Sequence, residues 1–230
     1  MRLQALEFLI QSARKLEVLP IVKYSALALF ADRFYPSFSR FTNGNDTRHW
    51  LLEPIRESSL QLFSIVSIWI SSKIHDSPPV SVKSLKSLGD KMIKEQHFTT
   101  RDFLEAEVVF MQVLNFEIGT SDIAYTFLEE LLAQFREVVR VGELVKFEAC
   151  MDIMDLLYEK EETSILYCSP CSLAASILIV AYVITVPKQK CEFPILLWVN
   201  FITACKEEEI LQMIKGILNH IFGILPRHKE

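Results

Sequence analysis

Glycine is scarce, with 6 in 230 residues. Wound α/β sheets and β-rich folds depend on glycine in their tight turns, so the shortage points to an all-α chain. No apolar run reaches the roughly 20 residues that a bilayer-spanning helix needs. The longest, SLAASILIVAYVITV at 172–186, is bounded by Pro170 and Pro187 and reads as a central helix packed on all sides, so no membrane partner is expected. Basic tracts and arginine-rich arms are also missing. With 24 Lys and Arg against 29 Asp and Glu, the net charge is −5, which disfavours nucleic acid as a partner.

Cysteine is limited to positions 150, 168, 171, 191 and 205, an odd set in the C-terminal half with no signal peptide before it. A disulfide framework is therefore not expected, and a reducing compartment is. CSPC at 168–171 has no second Cys or His pair downstream, so it reads as helix-start residues rather than a zinc site. GxGxxG, GxxxxGK[ST], HExxH and GxSxG are all absent. The five histidines are scattered, and the acidic runs at 159–162 and 206–209 read as solvated helix faces. No nucleophile, base and oxyanion donor come together. Neither an enzyme nor a cofactor or metal site is expected.

What the chain does have is helical periodicity almost throughout. Residues 3–16 place Leu3, Leu6, Leu9 or Ile10, Ala13 and Leu16 on one stripe. Pro20 sits at a helix start, and the helix it opens runs to about Phe34. Residues 35–57 mix Pro, Gly, Asn and charge and read as a long connection. Ser58 or Ser59 is the expected cap of an apolar helix that ends before SPP at 77–79. A short helix over 80–92 and another opened by Thr99 and Thr100 complete five. Ser121 and Asp122 are the expected caps of the sixth, and Gly142 breaks the chain before the seventh. Three more include the apolar 170–186 segment. The order suggests two tandem five-helix units, each with a central apolar third helix, although the halves share almost no sequence.

Polar residues inside this apolar pattern are the informative ones. Lys73 ends the third helix, LQLFSIVSIWISSKIH, where an unpartnered charge in the core would cost several kcal/mol. Arg2 opens the first helix, Asp32 closes the second, and Glu107 lies within the fifth. Each alone can snorkel to water. Two opposite-sign pairs across packed helices suggest more.

These residues resemble the cyclin box, the five-helix module with which cyclins bind and activate cyclin-dependent kinases. MRLQALEFL is similar to the family's opening helix and supplies Arg2. ALFADRF resembles YIDRF and supplies Asp32. LQLFSIVSIWISSKIHD is similar to LQLxxxxxxxxASKxEE and supplies Leu62 and Lys73, and LEAEVVFMQVLNFEI resembles MExxxLxxLxFxL and supplies Glu107. SPCSLAASILIVAY is similar to the PSxxAAAxxxxA of a second cyclin fold, so the resemblance spans nearly the whole chain. VKYSALALFADRF, WLLEPIRESSLQLF and FEACMDIMDLLYEKEETS are similar to the plant J-type cyclins.

The resemblance implies a cyclin box over 1–118, a C-terminal cyclin-like fold over 119–230, and a heterodimer with a cyclin-dependent kinase in the nucleus, the cytoplasm or both. It assigns kinase contact to Lys73 and Glu107, with Ile70, Ile74, His75, Met111, Phe116 and Ile118 around them. Arg2, Asp32 and Leu62 become structural residues of the box. The family's substrate-docking patch maps onto Met1, Gln4, Ala5, Phe8 and Gln61, where Gln4 and Ala5 replace two apolar positions. Ile74, His75 and Asp76 replace the usual acidic pair after the lysine, and the 36–57 connection is longer than is usual in the family. No destruction-box segment precedes the first helix, so turnover through that signal is not expected. The competing expectation is a cyclin-fold transcription or adaptor protein that activates no kinase.

Overall fold

The computed structural model describes residues 1–38, 49–52, 54–119, 122–159, 169–190 and 192–223. Cys168, Cys191, Ser121 and residues 39–48 and 53 of the long connection lie outside the described residues. The described residues form ten α-helices. They fall into two compact units, Met1–Ser121 and Asp122–Glu230.

The first unit contains α1 (Arg2–Lys15), α2 (Pro20–Leu27), α3 (Glu57–His75), α4 (Val82–Met92) and α5 (Thr100–Val113). The second helix does not stop at Leu27 but widens into π-helical geometry over Ala28–Phe34. The third helix is the axis, packing against α1, α2, α4 and α5. From Ser58 to Ser72 all but Gln61 of its residues are buried. Its serines make this tolerable in two ways. They are small enough to let neighbours approach, and the hydroxyls of two of them donate to carbonyls of the preceding turn, Ser67 to Ser64 at 2.8 Å and Ser72 to Trp69 at 2.8 Å, while Ser71 Oγ is buried without a partner among the described residues. Ser64 Oγ lies 2.8 Å from the Leu60 carbonyl and 3.2 Å from that of Ala5, so it also ties α3 to α1.

Several local expectations need correcting. Leu3 is 46% exposed, because the buried stripe of α1 begins at Ala5. The N-cap of α3 is Arg56, and Ser58 and Ser59 are buried within its first turn. Thr99 does cap α5, reciprocally with Asp102 in a capping box.

The second unit contains α6 (Ala124–Val138), α7 (Phe147–Tyr158), α8 (Pro170–Thr185), α9 (Ile195–Thr203) and α10 (Glu207–Phe222). Ile123, not Asp122, is the N-cap of α6. The apolar α8 is again central, packing against the other four helices, with Ser172 to Tyr182 buried without a gap. Gly142 sits in a 3₁₀ turn where an added Cβ would lie 2.9 Å from both Arg136 Cα and the Phe135 carbonyl oxygen. Backbone leaves no room there for a side chain. Among the described residues, no helix is long and apolar enough to cross a membrane.

Candidate functional site

The ends of α3 and α5 meet because aromatic rings lock the underlying helices together. Phe34, at the end of the π segment, stacks on Phe110 of α5 with centroids 4.4 Å apart and planes within 2°. Phe63 of α3 lies 4.8 Å from the same Phe34 ring. All three are fully buried. Burying three such rings stabilises this junction by several kcal/mol and fixes the rotation of α5 about its axis. Glu107, one turn before Phe110, is thereby directed at the end of α3.

Lys73 Nζ meets Glu107 Oε1 at 2.5 Å. The lysine side chain is 39% exposed and the glutamate 13%. The lysine is not a charge inside a core. Its stem leaves the last turn of α3, and its ammonium stands 3.7 Å above the ring of Trp69, one turn back. The i, i+4 spacing of Trp69 and Lys73 carries this contact in the sequence, where the Trp reads only as core.

Around the pair lies an apolar rim. Ile74 is 39% exposed and Phe116 61%, with Met111 and Ile118 half-buried. Leu104 and Val108, which share the outward side of α5, are also exposed and extend the rim beyond the residues that the sequence singles out. Ile70 must be taken out of it. At 2% exposure it belongs to the core and offers no contact surface. His75 turns back to α2, its Nε2 lying 3.3 Å from Ser25 Oγ.

Phe116 owes its exposure to the backbone. Asn115 and Phe116 both adopt left-handed geometry, with φ of 52° and 61°, after the last turn of α5. For a Phe this costs on the order of 1–2 kcal/mol and needs support from neighbours. The support comes from the Phe116 amide, which donates to the Met111 carbonyl at 2.7 Å, and from Arg33, whose Nη2 donates to the Glu117 carbonyl. Arg33 is a site residue that the sequence reading missed. Its only signal is its place beside Asp32 in ALFADRF.

A second support was also hidden in the long connection. Leu51 and Leu52 are buried, while Trp50 Nε1 donates to Glu105 Oε1 at 3.1 Å, and His49 Nε2 stands 3.1 Å from the same oxygen. His49 and Trp50 of the connection are thus anchored to α5.

Leu62 is fully buried in α3. Asp32 keeps an exposed side, yet protein atoms crowd its carboxyl. Partial desolvation pushes its pKa up to about 6, while the Arg2 guanidinium pulls in the opposite direction. Arg2 thus acts on Asp32 as a through-space charge that favours the ionised carboxylate. The docking patch does not form the surface that the resemblance implies. Ala5 and Phe8 are buried at 1% and 8%, leaving Met1 and Gln4 exposed and Gln61 half-buried, its amide 3.3 Å from Glu57 Oε1.

Two five-helix units, with a paired Lys and Glu displayed at the edge of an apolar rim in the first, define an all-α protein. The cyclin N-terminal domain matches residues 1–119, and the chain belongs to the cyclin family. It is 60% identical over 221 residues to Cyclin-J18 of Arabidopsis thaliana, covering 96% of this chain and 94% of that one. It is also 52% identical to Cyclin-J18-like of Oryza sativa subsp. japonica, covering 96% and 87%. These similarities place it with the plant J-type cyclins. Among solved structures, a viral cyclin from herpesvirus saimiri superposes with a TM-score of 0.70 over 96% of this chain and 84% of that one, at 15% identity. At that identity the likeness concerns the fold.

Proposed function

We propose that this chain is a non-catalytic regulatory subunit that binds a cyclin-dependent serine/threonine kinase as a heterodimer and activates it in cell-cycle control. The observation that carries the reading is the Lys73–Glu107 pair, set among exposed Ile74, Leu104, Val108 and Phe116. An ion pair ringed by apolar surface suits a partner that supplies both greasy contact and backbone hydrogen-bonding groups. Lys73 has further donors beyond the one directed at Glu107, and the second carboxylate oxygen of Glu107 can accept.

Under this reading the rim packs against the kinase's regulatory helix, and the ion pair bonds backbone groups beside it. The cyclin contributes no reacting group. It binds the kinase conformation in which that helix is swung inward more tightly than the one in which it is swung out, and so shifts the population towards the active form. Met111, Phe116, Ile118 and Ile74 supply contact area, and Arg33 holds Phe116 in place. Arg2, Asp32 and Leu62 act within the module. The complex would work in the nucleus, the cytoplasm or both.

The experiment is co-purification of the tagged chain from dividing plant cells, followed by a kinase assay on the recovered complex. The reading expects a cyclin-dependent kinase in the eluate and phosphorylation that depends on the cyclin. Recovery of a stable partner set with no kinase and no activity would favour an adaptor instead.

A further inference from the structure

The first unit carries a second surface that the kinase reading does not use. Between the C-terminal end of α1 and the outer side of α4 lies a depression of about 550 Å³. Lys15 stands on one wall, and Lys83 and Lys91 on the other. Leu16 and Leu88 form an apolar floor, with Ser87 between the lysines of α4. Lys83 and Lys91 are eight residues apart on one helix, so their backbones are separated by ~12 Å.

Three ammonium groups around one hollow are not a by-product of composition, because the chain as a whole is acidic, with a net charge of −5. Nor are they neutralised by neighbours. The α4 carboxylate Asp90 is held by Lys86 at 2.6 Å, on the same helix, and His97 Nδ1 lies 3.5 Å from it. Among the described residues none of Lys15, Lys83 and Lys91 has a carboxylate within 4 Å. Unpaired cations that line one hollow make a local positive field there, which favours an anionic ligand.

We propose that this groove between α1 and α4 binds an extended acidic peptide segment of a partner protein, with two carboxylates about four residues apart and an apolar residue between them. An extended chain advances ~3.3 Å per residue, so four residues match the separation of Lys83 and Lys91. The intervening apolar side chain rests on Leu16 and Leu88, and Lys15 closes the opposite side. The groove has no aromatic ring on which a base could stack, which disfavours single-stranded nucleic acid. Its lysines line a hollow rather than a protruding face, which disfavours a flat membrane surface.

The test uses the full chain and a fluorescein-labelled peptide, Gly-Ser-Glu-Ser-Leu-Ser-Glu-Gly, read by anisotropy. Binding is expected to weaken as salt rises from 50 to 300 mM, and to fall about tenfold for the peptide with Gln in place of both Glu. The triple variant Lys15→Gln, Lys83→Gln, Lys91→Gln should bind about tenfold more weakly, for the loss of two exposed ion pairs and of the Lys15 charge beside them. Lys86→Gln, which removes a lysine already paired with Asp90, should bind as the wild type does. All four are surface positions, and matching melting points check that the fold is kept. Equal binding by the triple variant, equal loss in Lys86→Gln, or equal or tighter binding of an oligothymidylate or of phosphatidylserine vesicles would each overturn the proposal.

Discussion

Replacing Lys73 by Ala separates two energies that the proposed interface makes unequal. In the free chain the lysine side chain is 39% exposed, so its bond to Glu107 is worth about 1 kcal/mol or less. Its position 3.7 Å above Trp69 adds about 0.5–1 kcal/mol. The free protein should therefore lose about 1–2 kcal/mol and melt a few degrees lower. On the proposed reading a kinase would remove the same pair from water, and truncating one partner would leave Glu107 buried without its counter-charge. The cost there is about 2–5 kcal/mol, or roughly 30-fold to several thousand-fold in Kd. Titration calorimetry with the purified kinase measures the second quantity and differential scanning calorimetry the first. Removing Glu107 as well relieves the orphaned carboxylate, so Lys73→Ala with Glu107→Ala should cost clearly less than the two single losses added together. A Kd within threefold of wild type for Lys73→Ala would refute the interface, whatever the melting point does.

Arg33→Ala removes the donor to the Glu117 carbonyl, freeing the left-handed turn that displays Phe116. Kinase affinity should fall about tenfold with the core intact, since a charged hydrogen bond is worth about 1.5 kcal/mol or more; unchanged affinity would remove Arg33 from the site. Asp32 titrates near 6 in the folded chain against 3.8 when unfolded. Between about pH 4 and 6 the folded form therefore binds the extra proton, and its stability falls as pH rises through that window. Asp32→Asn should flatten this slope, and Arg2→Ala should lower the melting point more at pH 7 than at pH 4. Parallel pH profiles for the three proteins would show that the carboxyl is not desolvated. Alanine at glycine positions gives an internal scale read by chemical denaturation. Gly142→Ala meets backbone at 2.9 Å and should cost about 1–3 kcal/mol, Gly89→Ala meets side chains alone, the Phe103 ring at 3.2 Å first, and should cost less, and Gly216→Ala, in open space within α10, should stabilise by about 0.5–1 kcal/mol.

The sequence alone determined the helical class, the ten-element order and the central place of α3 and α8, because each rests on local quantities. Scarce glycine, a period near 3.6, prolines at helix starts and apolar runs without a polar side are all properties of neighbouring residues. The markers Arg2, Asp32, Lys73 and Glu107 were legible for a related reason, since each is a charge in a segment whose pattern calls for none. Local signals did not show which side chains reach water at the helix ends. Ile70 and Ile74 are one turn apart on α3 and look alike in sequence, yet one is sealed in the core and the other meets solvent. Phe8 of α1, too, is covered by packing that its own sequence does not record. The rotation of α5 that brings Glu107 to Lys73 depends on Phe34, Phe63 and Phe110 meeting from three separate segments. Only tertiary structure could decide these points, because burial at a helix end is set by which distant residue arrives there.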